Sequence, residues 1–443
     1  LFIAMLRDLA ILSIVVFALA VTFRRPYAGA LLWAWLSILN PHRYSYGVTY
    51  SMPLAMIAAL VTFISMMMHR DQIRSVPSLP VVWVWLVFCL WMPVTTAAAF
   101  HVDGSLEMLS KVTKIMFMMF VTIVVTVEKK HIQSLIWVYA MSIGLLGLKS
   151  GIYTLAGGGS GRVWGPPASF IYGNNEIGLA FVVAIPILYY LTFQTQKRWL
   201  KYFVFGCAAA SALATFGTQS RGAFLAIAAM ASFLWFKSDR KFALGVLLVA
   251  GGMAILAFMP DEWHSRMDTI KTYEADASAM GRINAWWMTF NLAKDNWLGG
   301  GFDIYNVTMF SLYAPNPTDI HAAHSIYFQV LGEHGFVGLI LYLLFGFFSW
   351  RLASQVQQRA SSKPELDWIS RFALMAKVSI IGFAVGGAFL SLAYFDLPYY
   401  LTVTLIVMLR WMDIQDNQAT PARQQLVRRS QTPAVRGRAG VGP

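Results

Sequence analysis

Apolar residues fill the chain in long runs, each cut by a few polar or basic positions and then resumed. The runs fall at about 5–22, 27–40, 52–68, 79–99, 111–127, 132–155, 174–194, 200–217, 222–237, 241–258, 336–350, 371–391 and 396–411. Most approach the ~20 residues a helix needs to cross a hydrocarbon core roughly 30 Å thick. In lipid, only helices and closed barrels satisfy every backbone polar group. The runs show no period-2 alternation. The pattern therefore predicts an all-α polytopic membrane protein with 12 or 13 transmembrane helices, the short run 27–40 deciding between them. The first run leads into further spans and reads as an anchor, not a cleaved signal.

One segment departs from the pattern. Met259 to Gly335 is far longer than a connection between spans requires, and such loops are functional or disordered. Its stretch GRINAWWMTFNLAKDNWLGGGFDIYN carries Ile283, Trp286, Trp287, Phe290 and Leu292 at amphipathic spacing, which predicts a helix along the membrane surface ended by Gly299 to Gly301. A second helix is expected from near Asp319, carrying HAAHSIYFQVLGEHGFVG (321–338) toward the next span.

Composition agrees with the pattern: of 443 residues, 58% are hydrophobic and 12% charged, with a mean hydropathy of +0.58. A soluble chain would carry about a quarter charged residues. The net charge of +13 comes from basic clusters at alternating boundaries: Arg24-Arg25, His69-Arg70 with Arg74, Lys129-Lys130, Lys197-Arg198 with Lys201, Lys237 to Lys241, and Arg351 to Arg371. With those loops cytoplasmic, as the positive-inside rule requires, Ala156 to Gly173, Gln219 to Gly222 and Met259 to Gly335 are extracytoplasmic. Three regions follow: transmembrane helices in 1–158, a catalytic membrane region in 159–411 with its loop 259–335, and a tail in 412–443. That tail, with Arg423, Arg428, Arg429, Arg436 and Arg438 among Pro, Gln and Gly, reads as disordered, basic and cytoplasmic, and suited to membrane lipids. No nucleic-acid motif accompanies it. Cys89 and Cys207 lie within apolar runs and support neither a disulfide framework nor a thiolate metal site.

Arginines on the side where basic residues are depleted carry the candidate chemistry. Arg221 follows Gln219 and Ser220 at a span start; Arg162, Arg282 and the Lys111/Lys114 pair add cations on the same side. Each alone reads equally as a snorkelling interfacial residue. Together they suit an anionic ligand, because a guanidinium fork matches phosphate oxygens. On a helix His321 and His324 would share one face, but a zinc site needs at least three protein ligands. Glu333 is the one nearby carboxylate, about two and a half turns away, so no metal and no cofactor is expected. No nucleophile elbow occurs, which leaves histidine as a general base or hydrogen-bonding group.

HSIYFQVLGEHGFVG is similar to the His-Asn-x-x-Leu-x-x-x-x-Glu-x-Gly-x-x-Gly signature of the O-antigen ligase and polymerase superfamily. His324, Glu333, Gly335 and Gly338 match; Ser325 stands for Asn and Phe328 for Leu. QSRGA (219–223), GRINAWW and GGGFDIYN resemble further motifs of that family in the same order, across about 160 to 411. The amino-terminal third, LRDLAILSIVVFALAVTFRRPYAGALLWAWLSILNPHRYSYG, resembles an O-glycosylation ligase subgroup. The resemblance implies a metal-independent glycosyltransferase of the GT-C type in the bacterial inner membrane, with a periplasmic active site. It would move a glycan from undecaprenyl diphosphate to an acceptor hydroxyl, usually on lipid A–core. His324 would be the base, and Arg221 and Arg282 would stabilise the diphosphate. Arg162, Lys111, Lys114, Gln219, Ser220, His321, Trp286 and Glu333 would bind substrate, with Glu333 alternatively orienting His324. A polymerase or a protein O-oligosaccharyltransferase would use the same residues. A lipid-linked oligosaccharide transporter is the non-enzymatic alternative, although transporters place ionisable groups mid-membrane.

Overall fold

A computed structural model describes residues 2–45, 47–268 and 277–431 of the chain, the side chains of 2–4, 266 and 419–431 excepted. The described residues form helices and loops with no strand. The helices are α1 (Phe2–Thr22), α2 (Pro26–Leu39), α3 (Leu54–Met68), α4 (Pro80–Ala97), α5 (Val102–Val125), α6 (Lys129–Ala156), α7 (Asn174–Gln194) and α8 (Arg198–Gly217). There follow α9 (Arg221–Lys237), α10 (Lys241–Phe258), α11 (Asp261–Asp268), α12 (Ala277–Asp295), α13 (Val307–Tyr313), α14 (Ile326–Ser361), α15 (Asp367–Gly387) and α16 (Asp396–Gln431). Ten of the described helices are long and apolar enough to cross a membrane, α14 among them. Of the other expected runs, α2, α3 and α9 are helices of 14, 15 and 17 residues.

Helices α7 and α16 are the most enclosed of the ten, whereas α10 buries none of its residues. Close approach depends on small side chains, as in membrane bundles generally. A Cβ on Gly147 of α6 would meet Ser211 of α8 at 1.9 Å, and one on Gly151 would meet the Ala210 carbonyl at 2.6 Å.

Three boundaries differ from expectation. Residues 314–325 are not helical, so no helix begins near Asp319; α14 starts at Ile326 after Ser325 and continues, across a kink at Gly335, into the span expected at 336. The kink is bridged. Gly335 adopts φ 67° and ψ −172° inside the helix, and the carbonyls this disturbs are met by another segment: Gly300 N–H donates to Gly332 O at 2.8 Å and Gly301 N–H to Glu333 O at 3.0 Å. The glycine run 299–301 is thus a clamp on α14. At the other end of the chain, α16 continues past Trp411 to Gln431, where a disordered tail was expected. Arg359 of α14 and Lys363 just after it bridge Asp413 and Asp416, fastening that extension to the bundle. Residues 432–443 lie outside the described residues.

Candidate functional site

The connections 157–173 and 218–220 meet each other, α12 holds the segment 314–325, and the two halves are joined where α7 reaches His324. The α8–α9 turn is built around Gln219, whose φ of 55° is left-handed, a conformation uncommon for a residue with a Cβ. Ser220 then caps α9, its Oγ accepting from Ala223 N–H at 3.3 Å, which puts Arg221 on the first helical position. Arg162 Nε donates to Gln219 Oε1 at 3.2 Å, and Gln219 Nε2 donates to the Ser160 carbonyl at 3.3 Å. Asn174, at the start of α7, donates from Nδ2 to the Thr218 carbonyl at 2.9 Å. One turn of chain therefore fixes Arg221 and is itself held from 159–162 and from α7.

The second half of the site is a loop held by α12. Asn284 donates from Nδ2 to the carbonyls of Asn316 (2.8 Å) and Asp319 (2.9 Å) and accepts from Asn316 N–H at 2.9 Å. Trp286 Nε1 donates to the Ala323 carbonyl at 2.7 Å. Gly281 leaves room for the His321 ring: a Cβ there would lie 2.5 Å from its Nδ1. Arg282 follows Gly281 and is half-buried. His321 Nδ1 pairs with Asp319 at 2.8 Å. His324 has a φ of 44°, again left-handed, and its Nδ1 lies 3.7 Å from Glu176 Oε1 of α7. Covalent neighbours and these contacts link Arg162, Gln219, Ser220, Arg221, Glu176, His324, His321 and Arg282 into one cluster.

Several expected site residues behave otherwise. His321 and His324 do not share a helical face, because the chain is not helical there and each ring has its own carboxylate. Among the described residues no three His, Cys, Asp or Glu side chains gather as a ligand set. Glu333 does not orient His324. It is buried in α14, where Oε2 accepts from the Tyr394 hydroxyl at 2.5 Å and Oε1 from the Gln329 amide at 3.4 Å. Lys111 and Lys114 are exposed on α5, which packs on α2, α4 and α16; Lys111 pairs with Glu107 of its own helix at 2.7 Å. Trp286 stacks on Phe328 of α14, ring centroids 5.0 Å apart and planes 5° apart, so with its bond to Ala323 this indole is committed to the loop and the start of α14. The apolar face of α12 is also split: Leu292 is buried while Trp287 and Phe290 are exposed.

Glu176 and Asn284 were not legible as site residues. Glu176 stood out in the sequence only as an ionisable residue at a span start, and Asn284 only as a polar position between apolar ones. The density of polar residues in Gly173-Asn174-Asn175-Glu176, just after a glycine-rich loop on the arginine side, is the signal that could have found the first.

A sequence model of the O-antigen ligase family matches residues 206–343. Over that stretch the chain is similar to the O-antigen ligase family. That match contains Gln219, Ser220, Arg221, Arg282, Trp286, His321, His324 and Glu333. A second model, of a family of unknown function (DUF5935), matches residues 6–196 and contains Lys111, Lys114, Arg162 and Glu176. No curated protein matches the chain. The cluster therefore draws side chains from both matched regions.

Proposed function

We propose that the chain is a glycosyltransferase of the GT-C type that takes a glycan from undecaprenyl diphosphate and joins it to an acceptor hydroxyl. The acceptor is a sugar of lipid A–core, and the site faces the periplasm from the bacterial inner membrane. What supports this reading is a chain of contacts in an apolar helical bundle: α7 holds the turn that carries Arg221 and accepts from Arg162, and its Glu176 faces His324. A polyprenyl diphosphate needs apolar surroundings for its tail and cations for its head. In the reaction the bond from the anomeric carbon to the diphosphate oxygen breaks, and the acceptor oxygen bonds that carbon. The acceptor's proton goes to His324, and undecaprenyl diphosphate leaves with both electrons of the broken bond. Charge grows on the leaving diphosphate in the transition state, where Arg221 and Arg282 stabilise it by fixed donors. Arg162 supports the turn that carries Arg221 and lends a further positive charge. His324, as general base, removes the proton that makes an alcohol a poor nucleophile.

The test is transfer by the purified protein from an undecaprenyl-diphosphate-linked glycan, with lipid A–core, a second lipid-linked glycan or a protein offered separately as acceptor. Product on lipid A–core alone supports the reading. Product only on a second lipid-linked glycan makes the protein a polymerase, and product only on the protein makes it a protein O-oligosaccharyltransferase. Movement of intact donor across a vesicle membrane without transfer would make it a transporter.

A further inference from the structure

The region 6–196 has no assigned role, yet the first turn of α7 reaches two loops of the ligase region at once. Asn174 holds the carbonyl of Thr218, next to Gln219 and two residues from the start of α9. Two positions on, Glu176 turns its carboxylate to His324 Nδ1 at 3.7 Å. Gly173 makes that orientation possible, since a Cβ there would lie 2.0 Å from Glu176 Oε2. The pair is set back from bulk water, the two side chains keeping 29% and 15% of their exposure. The helix is pressed close enough to engage both loops because Gly178 sits 3.0 Å, measured from a built Cβ, from Ala223 of α9 and from Thr218.

We infer that Glu176 is the positioning residue of His324, and that the region of unknown function thereby completes the ligase site. This rests on the proposed role of His324 as base. An imidazole has two nitrogens, and which one carries the proton is set by the partner of the other. In this scheme a carboxylate 3.7 Å from Nδ1, just outside hydrogen-bond reach, biases the ring toward Nδ1–H and leaves Nε2 to accept from the acceptor hydroxyl. It also stabilises the imidazolium formed when that proton arrives. A base held by a third group in this way is the general arrangement behind nucleophile activation. Glu176 touches neither donor nor acceptor in this scheme. The bland alternative is an acidic residue in the first turn of a helix, favourable with the helix dipole, which would affect stability and nothing else.

The two roles separate in a double-mutant cycle on the full-length purified protein, using an undecaprenyl-diphosphate-linked glycan as donor and lipid A–core as acceptor. Glu176→Gln keeps the size of the side chain and removes the charge. It is expected to lower kcat by about 10²-fold, the scale of a small misplacement of a catalytic group, with donor KM unchanged. In a His324→Ala background the same change should lower residual transfer no further, and Glu176→Asp should recover part of the loss. Should Glu176→Gln prove poorly folded, Gly173→Ala, which obstructs the carboxylate without removing it, gives the same kcat loss under the inference. Wild-type kcat in Glu176→Gln, or losses that multiply in the double variant, would overturn it. A His324→Ala protein with wild-type transfer would instead overturn the base assignment itself.

Discussion

At the scale of single residues the proposed reaction rests on two arginines and one histidine, and each makes a distinct prediction. Arg221→Ala and Arg282→Ala should each lower transfer by about 10²- to 10³-fold, the usual consequence of losing one fixed donor to developing negative charge. The fold should survive, because both side chains are only half-buried. Lysine at either position should rescue incompletely, since an ammonium cannot form the two-pronged contact with phosphate. Transfer at wild-type rate in either alanine variant removes that arginine from the site. His324→Ala and His324→Gln should both lose about 10²- to 10⁴-fold while still binding undecaprenyl diphosphate. Glutamine preserves hydrogen bonding and takes up no proton, so near-normal transfer by His324→Gln would end the base assignment. Chelation with EDTA is expected to leave the wild-type rate unchanged; loss on chelation and recovery with zinc would revive a metal mechanism.

Helix α12 braces the base, and the glycine run after it braces α14. Asn284 is buried and makes three hydrogen bonds to the backbone of 316–319, each worth about 0.5–1.5 kcal/mol. Trp286 adds one to Ala323. Left-handed φ at a histidine costs on the order of 1–3 kcal/mol and persists only under such restraint. In Asn284→Ala, amide hydrogen exchange across 314–325 should accelerate without change in the spans; unaltered exchange would show that the loop holds itself. At the α14 kink, Gly335→Ala would combine a backbone conformation closed to L side chains with a Cβ 2.0 Å from the Trp297 carbonyl. Its thermal midpoint in detergent should fall by an amount corresponding to at least about 1–3 kcal/mol, and an unchanged midpoint would mean that the clamp of 299–301 is not needed.

For the whole molecule, the alternation of basic loops predicts that the cluster and the basic boundaries lie on opposite sides of the membrane. Single cysteines at Ser311 and Arg198, both exposed, introduced after Cys89 and Cys207 are replaced, should react with an impermeant thiol reagent from opposite faces of oriented vesicles. Labelling from the same face would invert the proposed topology. The Arg359–Asp413 and Lys363–Asp416 bridges lie at the end of α14 far from His324 in sequence. They link α14 to α16 where positive charge accumulates, which suits a cytoplasmic position for that end.

Apolar run length alone determined the helical membrane bundle, because lipid leaves the backbone few ways to satisfy itself. Charge placement together with motif order marked Arg221 and Arg282, and motif order marked His324, since Ser-Arg-Gly and His-x8-Glu are local patterns. Tertiary structure decided which of the marked residues meet. Lys111 and Lys114 share the expected side but face outward from α5, a fact set by how α5 packs and not by its sequence. Glu333 is nine residues from His324, yet the break at Gly335 and the partner Tyr394 commit it to the interior. Glu176 is 148 residues from His324, and no local pattern could pair them. That contact exists only because α7 is drawn against α9 through a glycine, while α12 holds the histidine's loop in a conformation the loop's own residues do not favour.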